Sequence, residues 1–217
     1  MRRSVVPDTN NPLNAKPDCR ILIVRLSAIG DVARTIPAVH ALRETMPRAF
    51  IGWAVEDKAV DLLDELPWLD THHVLERHAW RKNYLRTGPF LSFIREIRKT
   101  RYDIAFDFHG NAKSGVVTWL SRAPIRIGFA RKYSKECNFL ATNRHIVPPG
   151  HNINRYERNF SLVEPVIGPP PYDLDIEIPI GEKVRDDIDR YLNKWRDPNR
   201  PFVLVHPITS RPFKVWP

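Results

Sequence analysis

Asp31 is the residue around which the sequence gathers its chemistry. It closes the stretch Ile21-Leu22-Ile23-Val24-Arg25-Leu26-Ser27-Ala28-Ile29-Gly30-Asp31, where an apolar run gives way to a small polar turn and then to a helical pattern. A carboxylate at the tip of such a turn can act as a general base and take a proton from a substrate hydroxyl. The helix N-terminus favours the anion, which suits a hydroxyl that loses its proton late in bond formation. The same residue reads equally well as an N-cap, worth about 1 kcal/mol, and spacing alone does not choose. Gly30 beside it reads as the residue that lets the chain turn tightly.

Three further clusters carry groups of the right type. Asp107-Phe108-His109-Gly110-Asn111-Ala112-Lys113-Ser114 is a second strand-to-helix turn. Its Lys113, Ser114 and helix-terminal amides can hold an anion or a sugar, or the segment is an ordinary capped turn. His206 to Pro217 combines a strand end with Thr209, Ser210 and Lys214, which can grip a diphosphate or form a plain polar loop. Arg77 to Gly88 sets basic side chains, Arg77, Arg81 and Lys82 among them, around Trp80 and Tyr84. A charge run is usually a solvated face, but interleaved aromatics favour a binding surface. The turn before Asp31 has one glycine where a dinucleotide fingerprint needs three, so NAD is not expected.

The elements that must position these groups alternate between strand and helix. Ile21–Val24 is β-branched and apolar on both faces, the mark of a buried parallel strand. Ile36, Val39, Leu42 and Met46 recur at helical spacing, with Pro37 near the start of that helix and Pro47 at its end. Strands are expected at 50–55, 73–75, 103–108 and 126–129, with helices after Pro89 and over 151–167. Gly168-Pro169-Pro170-Pro171 breaks the pattern. An extended linker, a helix over 181–195 and a buried strand at 201–207 follow. The expected class is therefore α/β, a doubly wound parallel sheet, with ligands meeting the carboxyl ends of its strands. The expected organisation is a disordered tail at 1–19, a Rossmann-like domain at 20–167, a linker and helix at 168–200, and the first strand and loop of a truncated second domain at 201–217.

Composition narrows the partners. Thirty-four Lys and Arg against 25 Asp and Glu leave a net charge of +9, which favours phosphates, nucleic acid or an anionic membrane surface. No nucleic-acid motif is present. Cys19 and Cys137 stand alone, without metal-site spacing or a disulfide framework, which suits a reducing cytoplasm. The basic N-terminus lacks the apolar stretch of a signal peptide, and no apolar run approaches the roughly 20 residues needed to span a bilayer.

Taken together, the motifs resemble those of the ADP-heptose:lipopolysaccharide heptosyltransferases, glycosyltransferase family nine. The opening pattern of strand, basic residue, two small residues, Gly-Asp and downstream Pro is matched by Ile21–Val24, Arg25, Ser27-Ala28, Gly30-Asp31 and Pro37. The family's Asp-x-Gln-Gly-x-x-Lys-Ser is matched by Asp107–Ser114. Its His-Pro-Gly-Thr-Ser followed by Lys-x-Trp-Pro is matched by His206–Ser210 and Lys214–Pro217. Two positions depart: His109 replaces Gln, and Ile208 replaces Gly.

The resemblance implies a GT-B fold, of which this chain holds the N-terminal domain and the start of the C-terminal one. It implies inverting transfer of heptose from ADP-heptose to the anionic lipopolysaccharide inner core, without metal or cofactor. By match, Asp31 is the catalytic base and Thr209, Ser210 and Lys214 hold the donor phosphates. Ser27, Gly30, Arg77, Arg81, Lys82, His109, Lys113 and Arg126 fall on the acceptor side. A cytoplasmic enzyme touching the inner membrane surface peripherally, with no nucleic-acid partner, is the corresponding expectation. A chain lacking most of a donor domain would have little or no turnover alone, because in-line transfer needs both substrates held. The competing readings are a non-catalytic anion-binding remnant, and a GT-B transferase with a different sugar donor.

Overall fold

The computed structural model describes residues 16–76, 88–150, 153–169 and 180–195, together with Val203 and Val205. The chain divides into two units, residues 1–178 and 179–217.

In the first unit a six-stranded sheet forms from β1 (Arg20–Val24), β2 (Phe50–Glu56), β3 (Thr71–Leu75), β4 (Ile104–Asp107), β5 (Ile125–Phe129) and β6 (Arg144–Ile146). All pairings are parallel, in the order β3-β2-β1-β4-β5-β6. The helices between them are α1 (Ile29–Ala33), α2 (Ile36–Thr45), α3 (Asp61–Asp64), α4 (Gly88–Thr100), α5 (Ala112–Leu120) and α6 (Arg155–Ile167). The doubly wound α/β expectation holds.

β1 explains why both faces are covered. Ile21, Leu22, Ile23 and Val24 are all fully buried. Ile21 and Ile23 join a cluster with Ile36, Val39 and Leu42 of α2 and Phe160 and Val163 of α6. Leu22 and Val24 point the other way, to Phe93, Ile94 and Ile97 of α4 and Val117 of α5. Alternate side chains of one strand thus feed two cores, which commits the strand to the centre of the sheet. Chain order reverses on either side of β1, so the crevice past the ends of β1 and β4 is the topological switch point.

The helix after β1 is two pieces. α1 ends at Ala33, and α2 restarts with Pro37 in its first turn, where the missing N–H costs nothing. α6 begins at Arg155 rather than 151, because Asn154 and Glu157 form a capping box there. β6 was not foreseen from sequence: it is three residues long and its Arg144 and His145 are exposed.

The second unit contains α7 (Glu182–Leu192), within the span expected to be helical. The strand expected at 201–207 is not formed at the two residues described there: Val203 is 87% exposed and Val205 is 73% exposed. Among the described residues that unit offers no strand for them to pair with.

Candidate active site

The switch point holds a cleft of about 450 Å³. Asp31 enters it from the first turn of α1, but not as the N-cap: Ala28 holds that place, and no side chain caps the helix. The capping reading is therefore displaced, and the carboxylate is engaged elsewhere. Its Oδ2 lies 2.7 Å from Arg25 Nη2, at the end of β1, and its Oδ1 lies 3.4 Å from Arg34 Nη1. The Arg25 side chain is only 11% exposed, against 36% for Asp31.

Arg25 is fixed as well as charged. Its Nη1 donates to the Phe108 carbonyl at 2.6 Å, bridging the ends of β1 and β4. Its own carbonyl accepts from Trp53 Nε1 at 3.2 Å. Burial pulls its guanidinium below the ordinary value, and the Asp31 carboxylate opposes that shift. The backbone behind Asp31 is tied in turn: its carbonyl accepts from Thr35 Oγ1 at 2.8 Å, and Asn159 Nδ2 donates to Thr35 Oγ1 and to the Arg34 carbonyl.

The turn after β4 is organised by Asp107, which is completely buried. One of its oxygens accepts from the backbone N–H of His109 and Gly110; the other accepts from Thr118 Oγ1 and Asn138 Nδ2. Burial raises its carboxyl above the ordinary range, and those hydrogen bonds work against the rise. Gly110 sits at φ 72°, where a side chain would be strained. Asn111 and Ser114 form a capping box at the start of α5, so Ser114 is engaged in that cap. His109 lines the cleft and is held neutral: burial, reinforced by the nearby Arg25 charge, pulls it down to about 4. Its Nδ1 is buried with no hydrogen-bond partner among the described residues.

The site residues read from sequence are thus distributed unevenly. Asp31 and His109 share the cleft. Lys113 lies in the first turn of α5, where its ammonium pairs at 2.5 Å with Glu56, a buried carboxylate at the end of β2. Ser27, joined to Ala28 by a cis peptide bond, and Gly30 precede Asp31 without lining the cleft. Gly30 is exposed within α1, has no left-handed φ and would give an added Cβ open space, so it is not required for a tight turn. Arg126 lies near the amino end of β5, at the end of the strands away from the cleft, and its guanidinium donates to the Ala123 and Ala141 carbonyls. Arg77, Arg81, Lys82, Thr209, Ser210 and Lys214 lie outside the described residues.

Sequence reasoning missed the cations that complete the cleft. Arg25 and Arg34 flank Asp31, and Lys132, Lys135, Arg155 and Arg158 line the remainder. The signal was present in the basic run after β5 and the charged face of α6; their convergence was not. Among the described residues lining the cleft, one carboxylate stands among six cations, an arrangement that can hold an anionic group beside a proton acceptor. Among the described residues, no group of three or more His, Cys, Asp or Glu is placed to hold a metal ion. Among the same residues, no helix is long and apolar enough to cross a membrane.

A parallel sheet with chain order reversing at β1 and a charged cleft past its central strands places the chain among the doubly wound α/β proteins, whose ligands meet the carboxyl ends of the strands. Residues 90–217, more than half of the chain, match the family model of glycosyltransferase family 9 (heptosyltransferase), and the chain belongs to that family. It is 24% identical over 207 residues to the lipopolysaccharide core heptosyltransferase OpsX of Haemophilus influenzae, covering 94% of this chain and 55% of that protein. It is 26% identical over 203 residues to lipopolysaccharide heptosyltransferase 1 of Pseudomonas aeruginosa, covering 91% and 54%. The chain spans about half the length of the curated relatives it matches.

Solved structures agree on the fold. A glycosyltransferase family 9 protein from Veillonella parvula superposes with a TM-score of 0.77 at 20% identity, over 92% of this chain and 56% of that one. E. coli heptosyltransferase WaaC with ADP-2-deoxy-2-fluoro heptose gives 0.64 at 22% identity, over 71% and 50%.

Proposed function

We propose that this chain forms the acceptor-side half of a heptosyltransferase that acts on the lipopolysaccharide inner core. Asp31 takes the proton from an acceptor hydroxyl as that oxygen attacks the anomeric carbon of the donor heptose, and ADP departs from the opposite face with inversion. The observation that carries this reading is the Asp31 carboxylate, held by Arg25 and Arg34 in a cleft whose other charged groups, among the described residues, are cationic. Family membership supports the transfer class. The heptose analogue named with WaaC and the core lipopolysaccharide named with OpsX support donor and acceptor.

His109 and Lys113 stand on the acceptor side of this scheme, together with Arg77, Arg81 and Lys82. Thr209, Ser210 and Lys214 hold the donor diphosphate, where positive charge stabilises the leaving group. The work is cytoplasmic, with peripheral contact at the inner face of the membrane.

The test is transfer from ADP-heptose to heptose-deficient lipopolysaccharide, with the donor-side half of a family member supplied in trans. Wild type supports turnover in that mixture. Asp31→Asn lowers it by about 100- to 10,000-fold, the usual loss for a general base, while the melting temperature stays near wild type. An Asp31→Asn protein that kept the wild-type rate would sink the assignment.

A further inference from the structure

The outward face of α4 and α5 is apolar where solvent favours polar side chains. On α5, Val117 points into the core and Thr118 turns to Asp107, which leaves Val116 and Trp119 on the side away from the sheet. Trp119 is 61% exposed. A single helical turn, Asn138–Leu140, packs on the same helix at Gly115, where an added Cβ would stand 3.0 Å from Asn138 Nδ2. That turn leaves Leu140 72% exposed. On α4, Arg98 Nε donates to the Leu120 carbonyl, so the side of α4 that carries Arg98 faces α5. Exposed Leu91 lies two turns before Arg98 on that same side. Leu91, Val116, Trp119 and Leu140 thus lie on two adjoining helices and the turn beside them.

Cations border this face. Exposed Arg95 follows Leu91 by one turn of α4, and exposed Arg122 follows Trp119 just past the end of α5. Arg131 lies 5.4 Å over the Phe139 ring, next to Leu140. Glu136, on the same stretch, is engaged by the Ala112 N–H at 3.2 Å. An apolar patch rimmed by cations is a poor partner for a second copy of itself, because a symmetric contact sets cation against cation. It matches an anionic bilayer, which takes apolar side chains at headgroup depth and attracts basic residues near its surface. α7 also carries an exposed apolar stripe, Val184, Ile188 and Tyr191. Four acidic residues against three basic ones over Glu182–Leu192 give that helix no such attraction.

We propose that the outward face of α4, α5 and the Asn138–Leu140 turn docks on an anionic lipid surface. Trp119 and Leu140 enter the headgroup region, while Arg95, Arg122 and Arg131 meet lipid phosphates. This rests on the peripheral contact in the heptosyltransferase reading, and names the surface that makes it. α5 starts beside Asn111, which lines the cleft, so the docked face runs up to the cleft's rim. An acceptor carried on a lipid would approach Asp31 along this face.

The experiment is flotation of the 217-residue chain with vesicles of phosphatidylglycerol and phosphatidylethanolamine, against vesicles of phosphatidylcholine alone. Neither holds lipopolysaccharide, so acceptor recognition plays no part. Wild type should partition onto the anionic vesicles about tenfold more strongly than onto the neutral ones, and salt should release it. Trp119→Ser and Leu140→Ser should each weaken partitioning about tenfold, and Arg122→Gln about fivefold. Their melting temperatures should stay near wild type, since all three side chains are exposed. Trp195→Ser, beyond α7, and Asp31→Asn should float as wild type does. Wild type that floats equally with both vesicles, or with neither, overturns the docking face. So does unchanged flotation in Trp119→Ser, or a loss confined to Trp195→Ser. A Trp119→Ser protein that changes its oligomeric state but not its flotation does the same. Transfer by Asp31→Asn is read in a separate assay, so either proposal can fail without the other.

Discussion

Arg25 Nη2 and Asp31 Oδ2 lie 2.7 Å apart, and this pair joins the end of the central strand to the first turn of the helix that follows it. The arginine is nearly buried and anchored to Phe108 across the switch point, so it holds the carboxylate's orientation instead of following it. Arg25 is in this sense a positioning residue. Arg25→Gln should lower transfer by about 10- to 100-fold, the cost of a reacting group misplaced by about 1 Å. Arg25→Lys should recover part of the rate, keeping the charge but losing one arm of the fork. Rates set beside melting curves check this, since a purely structural role would lower stability and rate together in both variants.

Asp107 stabilises the turn that brings His109 to the cleft. It accepts two backbone and two side-chain donors. Asp107→Asn would turn an NH2 toward groups that donate, leaving buried donors unsatisfied at a cost of about 1–3 kcal/mol. Urea denaturation should show the loss, and Asp107→Ala should show a larger one.

Acid should weaken this fold through two half-buried histidines. His109 and His73 are each pulled down to about 4, in both cases chiefly by burial. The unfolded chain takes up these protons near the ordinary value of about 6.5, before the folded one does. Their contribution is therefore fully present above that value and is lost as pH falls from there toward 4. The melting temperature of wild type should drop between pH 7 and pH 5. His109→Gln, which restores the residue usual in the family, should flatten that drop. A pH–melting profile as steep as wild type in that variant would count against the burial argument.

A fourth prediction concerns Gly52 in β2. A Cβ placed there would stand 1.8 Å from the Tyr102 hydroxyl, which pairs with His73 at 2.7 Å. Gly52→Ala should cost about 1–3 kcal/mol by overpacking, read from chemical denaturation. Adding Tyr102→Phe should return part of that cost, because the nearest clash is with the hydroxyl oxygen.

How far the sequence revealed this site depends on how far apart its parts lie in the chain. The apolar run at 21–24 and the turns after it and after Phe106 carry their own signals, so the sheet, its switch point and the position of Asp31 beside it were legible. Arg126 was misread for want of one fact, the end of the strand on which it sits. A basic residue beside a strand reads the same at either end, yet only the carboxyl end faces the cleft. The ion pair of Lys113 with Glu56 spans 57 positions, and nothing local announces it. Arg155 and Arg158 look like the solvated face of a helix until α6 is laid against α2, which turns that face toward β1 and Asp31. The N-cap reading of Asp31 failed because the helix begins three residues earlier than a capping aspartate would require.

The bond from Asn159 to the Arg34 carbonyl crosses 125 positions of sequence, and it sets an order of events at the ribosome. Asp31 and Arg25 emerge early, but the clamp behind the aspartate and two of the cleft's cations arrive only with α6. Until that helix has left the exit tunnel and docked, the nascent chain carries a carboxylate with no finished pocket around it. A nascent fragment ending before residue 155 carries Arg25, Arg34, Lys132 and Lys135 but neither Arg155 nor Arg158, whatever sheet it has already formed. The site is among the last parts of the first unit to be completed, although its central residue is among the first to be made.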